Sequence, residues 1–270
     1  MFAQPAPEIP RDRWGRPLID PPGGGKPIAY TRVSTLAKTL DNKEQLMRWK
    51  CRQTALGLAR RTDLVAMAGS IGDDKKRMDE IVSEAMSAAA SNAAANLGTT
   101  LHALTEHVDN GTKPDYLPSE LIGDLTAYEE AMRPLTILGA EKFIVNDHVQ
   151  AAGTFDRLVV IPGIGMVVAD IKTGQHAPDY PHDVCAQVAT YAHGHLYEHG
   201  KGRLKYLPDL GVSTEVGLMI WLPAGKARCE LYLLELTLGW ELAQTAARVR
   251  DIYKSKPLRL HTDATLAVGA

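Results

Sequence analysis

The chain has 270 residues, 45% hydrophobic and 23% charged, which is enough for a full buried core without disulfides or structural metals. No apolar run is long enough to cross a bilayer, and a formal net charge of -2 argues against holding nucleic acid by bulk charge, because phosphate neutralisation needs clustered Lys and Arg. Cys51, Cys185 and Cys229 are odd in number and widely spaced, which excludes a disulfide framework or a Cys-x-x-Cys knuckle and points to a reducing, cytoplasmic setting.

Residues 1–27 lack the basic-then-apolar layout of a secretory signal, and their prolines and glycines predict an extended or disordered lead-in with little fold information. Residues 28–138 form a helical region, since apolar residues recur there at helical spacing. Leu36, Leu40, Leu46, Trp49 and Leu56 predict two helices broken near Asp41 and Asn42. A loop over about 69–74 leads into an Ala-rich helix over 78–108 that contains Gly98. Asp109-Asn110-Gly111 stops it, and a short helix capped by Ser119 runs up to Pro134. The basic residues Arg48, Lys50, Arg52, Arg60 and Arg61, Lys75 to Arg77, and Arg248, Arg250, Lys254 and Lys256 are candidate local patches for nucleic acid, and the plainer, favoured reading of each is a solvated helix face.

After Gly139 the pattern turns to β. Strands are predicted over 141–149, 151–161 and 166–171, with Pro162-Gly163-Ile164-Gly165 as the turn between the last two. A helix over 182–197 follows, then strands over 215–222 and 228–236, a closing helix over 237–253 and a tail over 259–270. This order describes an α/β protein with a central mixed β-sheet flanked by helices, its core over 139–258, rather than a doubly wound fold.

Ala152-Gly-Thr-Phe-Asp156 and Asp170-Ile-Lys172-Thr-Gly174 fall on the second and third strands, which the turn makes antiparallel neighbours. Phosphodiester cleavage near neutral pH uses divalent cations to acidify water and neutralise the scissile phosphate, and hard Mg2+ or Mn2+ ions take carboxylate oxygens. Asp156 and Asp170 supply two. Residues i and i+2 of a strand share a face, so Lys172 stands beside Asp170, where its ammonium can hold the attacking water and stabilise the pentacovalent phosphate. The Ile171 side chain points into the core, while its backbone carbonyl lies at the site as a further candidate metal ligand.

These residues resemble the PD-(D/E)XK nucleases, and within them the RecB-type exonuclease domains, including CRISPR-associated and phage relatives. The group has an upstream Gly-x-x-x-His, a Gly-x-x-Asp, an Asp-x-Lys-Thr-Gly and a Gln-x-x-x-Tyr. Here these are Gly98 with His102, Gly153 with Asp156, Asp170 to Gly174, and Gln187 with Tyr191, in that order. At ordinary residue usage a fixed Asp-x-Lys-Thr-Gly arises by chance in roughly a few per thousand chains of this length. The other motifs are weak singly, so their ordered co-occurrence carries the signal. The resemblance implies a restriction-endonuclease-like core and a Mg2+- or Mn2+-dependent DNA nuclease, an exonuclease of recombination, repair or replication. It implies that His102, Asp156 and Asp170 bind metal, that Lys172 assists attack, and that Gln187 and Tyr191 brace the site or the DNA. A lone domain of this kind works beside a recombination or helicase partner protein. Iron-sulfur members carry four cysteines that this chain lacks, so no cluster is expected. No G-x-x-x-x-G-K-[ST] occurs either, which excludes an attached motor.

Plainer readings stand beside these. Asp156 and Asp170 to Gly174 also suit strand ends running into turns, and a histidine on an Ala-rich helix is usually not a ligand. Gln187 and Tyr191 also suit simple packing of helix on sheet; at i and i+4 they share a helical face with Asp183 and His195. Glu106 is either an acceptor orienting His102 or an exposed glutamate, and Glu141 is equally open. Histidines crowd between His176 and His199, with His195 and His199 one helical turn apart, but no carboxylate or thiolate stands at zinc spacing. Two rival functions are a nuclease-like module that binds DNA or protein without cutting, and a metal phosphohydrolase of small phosphoesters.

Overall fold

The computed structural model describes residues 8–257 apart from Ala90, His176 and Pro178, with the backbone alone of residues 91–95. The tail expected over 259–270 lies outside the described residues.

Short strands β1 (Leu18–Ile19), β2 (Ile28–Ala29) and β3 (Thr31–Arg32) precede six helices: α1 (Val33–Ala37), α2 (Glu44–Arg60), α3 (Thr62–Ser70), α4 (Lys75–Ala88), α5 (Ser91–Asp109) and α6 (Ile122–Met132). Next come β4 (Thr136–Asn146), β5 (Ala151–Ile161), β6 (Gly165–Lys172) and α7 (His182–Ala192). The chain ends with β7 (His195–Glu198), β8 (Gly202–Tyr206), β9 (Val216–Trp221), β10 (Glu230–Glu235) and α8 (Leu236–Tyr253). The expected class is the one observed: a mixed sheet of order β10-β9-β6-β5-β4-β7-β8, with β3 pairing β5, flanked by helices. The β6–β9 and β3–β5 pairs are parallel and the others antiparallel.

Alternation along the strands sends side chains to two cores. Val167, Ala169 and Ile171 pack with Leu101, Leu104, Leu125 and Tyr128 of α5 and α6. Val168 and Met219 pack on the other face with Val188, Ala189, Ala243 and Ala246 of α7 and α8. On that face a Cβ at Gly239 of α8 would lie 2.4 Å from the Cys185 carbonyl oxygen, so only glycine lets α8 cross α7 at this depth.

The helical region is more divided than expected. The single Ala-rich helix is α4 and α5, a break at Arg61 adds α3, and Ser119 opens a 3-10 turn (Ser119–Leu121) instead of capping α6. Asp74 caps α4 by accepting the Arg77 N–H at 3.1 Å.

Two further expectations are corrected. Residues 8–27 are not a loose lead-in: β1 and β2 form a hairpin, and Ile19 is fully buried with Tyr30, Val145, Ala152 and Tyr197. Arg203 donates to the Asp20 carbonyl at 2.8 Å and the Tyr197 hydroxyl to the Asp20 carboxylate at 2.9 Å, pinning the segment. Nor does a helix reach residue 197. It stops at Ala192, where the buried Asn146 amide donates to the Thr190 and His193 carbonyls at 3.0 Å each, and the chain returns as β7 against β4. The turn passes through Gly194, where a Cβ would lie 2.9 Å from Ile144 Cδ1.

Candidate metal and catalytic site

The β5–β6 ladder runs from Ile161↔Gly165 to Arg157↔Ala169 and goes no further. One step on, Asp156 comes opposite Asp170, and the Ile171 N–H donates to Asp156 Oδ2 at 2.6 Å. A carboxylate thus takes the place of a backbone carbonyl and the strands part. Beside the far stretch of β5, at Ala151 and Ala152, β3 supplies the neighbour. A strand residue directs its own N–H and C=O to the same edge, so the Ile171 carbonyl faces this opening, while its side chain is buried in the α5–α6 core. The Lys172 carbonyl turns the other way and accepts the Leu222 N–H at 2.9 Å.

Asp170 is 2% exposed. Its Oδ1 accepts from Gln187 Nε2 at 2.7 Å. Lys172 Nζ stands 2.6 Å from Oδ2 but out of hydrogen-bond alignment, so that buried oxygen has no hydrogen-bond partner among the described residues. Lys172 Nζ also donates to Gln187 Oε1 at 3.2 Å, and Gln187 Nε2 lies 3.4 Å from the Tyr191 hydroxyl. The side chains at i and i+4 on α7 therefore meet the Asp170–Lys172 pair from one face of the sheet.

From the other face α5 brings His102, whose Nε2 is 3.2 Å from Asp156 Oδ2 and 3.9 Å from Glu141 Oε1. Glu141 lies opposite Asp156, between the pairs Ala140↔Arg157 and Lys142↔Phe155, with a left-handed φ of 49° that a glutamate adopts only at a cost. Donor atoms of His102, Glu106 and Glu141 all fall within 4.8 Å of one another. Gly98, one turn before His102, is where α5 meets the Asp-x-Lys-Thr-Gly segment: a Cβ there would lie 2.4 Å from Thr173 Oγ1. A hollow of about 340 Å³ lined by Gly98, Thr99, His102, Ala103 and Thr173 opens beside the histidine.

The electrostatics follow from crowding acids into a poorly solvated seam. Burial pushes Asp170 up to about 6, Lys172 opposing the shift and Asp156 adding to it. Burial, then Asp156, lifts Glu141 to about 7. The contact with Asp156 raises His102. Burial works against the Lys172 charge, but Asp170 outweighs it and the ammonium is held above its ordinary pKa. A buried carboxylate whose Oδ2 faces only the Lys172 ammonium among the described residues, without an aligned hydrogen bond, stands in a setting of carboxylates and an imidazole, the donor types that hard divalent cations accept. Among the described residues, His102, Glu106 and Glu141 bring donor atoms close enough together to hold a metal ion.

All seven residues singled out from the sequence, His102, Asp156, Asp170, Ile171, Lys172, Gln187 and Tyr191, meet at this seam. Glu106 and Glu141, left open by the sequence, reach His102 as well. Arg157 was missed altogether; a charged residue two positions from Phe155 and from Val159 on a central strand was its signal. The histidine cluster does not assemble. His195 is on β7 against the Tyr206 ring, centroids 4.8 Å apart, His199 faces Asp20 at 3.5 Å, and His176 lies outside the described residues. Arg48, Lys50, Arg52, Arg60, Arg61 and Lys75 to Arg77 are exposed. Among the described residues no helix is long and apolar enough to cross a membrane. No protein-family model and no curated protein matches the chain.

Proposed function

We propose that the chain is a Mg2+- or Mn2+-dependent deoxyribonuclease, an exonuclease hydrolysing phosphodiester bonds in DNA recombination, repair or replication. The observation that carries this reading is the parted β5–β6 seam, where Asp156 holds the Ile171 N–H and the buried Asp170 stands between the Lys172 ammonium and the Gln187 amide. Asp156, Asp170, His102 and the Ile171 carbonyl would hold the cation, which supplies Lewis acidity toward the phosphate and makes water acidic enough to attack near neutral pH.

The chain's own groups do the remaining work. Lys172, held beside Asp170, would act as a donor to the attacking water or to a phosphate oxygen. Its side chain is 32% exposed, leaving the ammonium reachable from outside. Gln187 orients both partners, donating to Asp170 and accepting from Lys172. The hollow beside His102 gives a phosphate an approach to the seam. DNA is the proposed partner, with a recombination or helicase protein beside it in the cytoplasm.

The test is cleavage of linear DNA in Mn2+ by the purified protein beside Asp170→Ala and Lys172→Ala. The reading expects degradation by the wild type and its loss in both variants. Equal degradation by both variants rejects it, and no degradation by the wild type favours a module that binds without cutting.

A further inference from the structure

Arg157 follows Asp156 in the chain, and its side chain is wholly enclosed, at 0% exposure. Nε pairs with Asp109 Oδ2, Nη2 donates to Thr105 Oγ1 at 2.9 Å, and Nη1 donates to the Asp156 carbonyl at 2.8 Å. Nη1 also lies 3.6 Å from Glu141 Oε1. The Tyr128 hydroxyl of α6 donates to Asp109 at 2.9 Å, and the Thr105 hydroxyl donates to the His102 carbonyl at 2.6 Å. His102, Thr105, Glu106 and Asp109 stand at i, i+3, i+4 and i+7 of α5, on one helical face.

A buried ion pair is a weak stabiliser, because well-packed apolar residues of the same volume usually serve as well or better. What a planar, five-donor guanidinium adds is fixed geometry. A slip of α5 by one residue moves it about 1.5 Å along its axis and turns it about 100°, enough to take His102 off Asp156. We infer that Arg157 is a positioning residue of the metal centre: its buried fork locks α5 and Glu141 onto β5 so that His102 meets Asp156. The inference rests on the proposed reading of the seam as a divalent-cation site.

The test compares Mn2+ affinity by calorimetry, alongside denaturant unfolding, in wild type, the double variant Asp109→Leu/Arg157→Met and Thr105→Val. The double variant removes both charges of the buried pair, with one partner lost to each of Glu141 and the Tyr128 hydroxyl, and Thr105→Val keeps the volume while cutting the link to His102. Stability near that of the wild type with Mn2+ binding about 10- to 100-fold weaker in the double variant, and a smaller loss in Thr105→Val, is the expected result. Folded variants that both bind Mn2+ as the wild type does overturn the inference. If the double variant does not fold, Thr105→Val decides alone. Wild-type protein that binds Mn2+ without cutting DNA would count against the nuclease reading and leave this one standing. Wild-type protein that binds no Mn2+ overturns this one.

Discussion

Asp156 accepts the Ile171 N–H where the next rung of the β5–β6 ladder would fall. A side chain in that role cannot continue the pairing, so the two central strands separate at the residue where both carry an acid. The opening is bounded by α5 on one face and α7 on the other. Local backbone chemistry thereby sets where the cluster of charges sits, and the flanking helices set what surrounds it.

Replacing Gly98 should harm the site more than the fold. An alanine Cβ would lie 2.4 Å from Thr173 Oγ1, forcing α5 away from the segment that follows Lys172. A displacement near 1 Å at a catalytic centre can cost about 100-fold in rate. We expect Gly98→Ala to lower DNA cleavage at least about tenfold on this basis, and Thr173→Ala to restore part of it by removing the obstructing oxygen. A double-mutant cycle on cleavage rate checks the coupling; additive effects would show that the two positions do not press on each other.

Gln187 and Tyr191 should differ in importance. Gln187 holds Asp170 at 2.7 Å and Lys172 at 3.2 Å, whereas among the described residues the Tyr191 hydroxyl reaches only Gln187, at 3.4 Å. Gln187→Ala strips a donor from a buried carboxylate, a loss on the order of 1–3 kcal/mol, and should cut kcat about tenfold or more with little change in KM. Tyr191→Phe keeps the ring that packs edge-on against Phe155 and should stay within about fivefold of wild type, a net neutral hydrogen bond being worth about 1 kcal/mol at most here. The reverse order of severity would contradict the geometry.

Metal-induced stabilisation should grow with pH. Asp170 and Glu141 are pushed up to about 6 and about 7, above the values they have in an unfolded chain. Each therefore opposes folding once ionised, and that cost is absent at low pH and complete only above its folded pKa. A cation needs the ionised forms and cancels their repulsion. The rise in Tm caused by Mn2+ over a chelator control should be larger at about pH 7.5 than at about pH 5.5. An equal rise at both would mean that these acids do not hold the ion.

Much of this arrangement was legible because strand signals are strongest where a short turn joins two apolar runs. Pro162 to Gly165 fixed the β5–β6 hairpin, and the bounds of β5 match the expected 151–161. Period 2 then placed Asp170 with Lys172 and turned Ile171 inward. Helical spacing put His102 with Glu106 but not against Glu141, since nothing local says which strand a helix face will meet. The β7–β8 hairpin was hidden because His195 to Glu198 continues the helical pattern of α7; the stop lies in Asn146, a distant residue that caps α7. Residues 8–27 were obscured by their prolines, although Ile19 anchors them in a core. Arg157 escaped because a charge on a central strand contradicts the pattern by which strands are recognised, and its partners Asp109 and Thr105 lie about fifty residues away.

On the proposed function, Asp156 and Asp170 hold one divalent ion between the parted strands. Calorimetric Mn2+ titration of the wild type, Asp156→Asn and Asp170→Asn tests it directly, since each variant keeps the side-chain shape and removes one charge. Saturable binding by the wild type and at least about a tenfold loss of affinity in each single variant are expected. Wild-type affinity in both variants would contradict this placement of the ion.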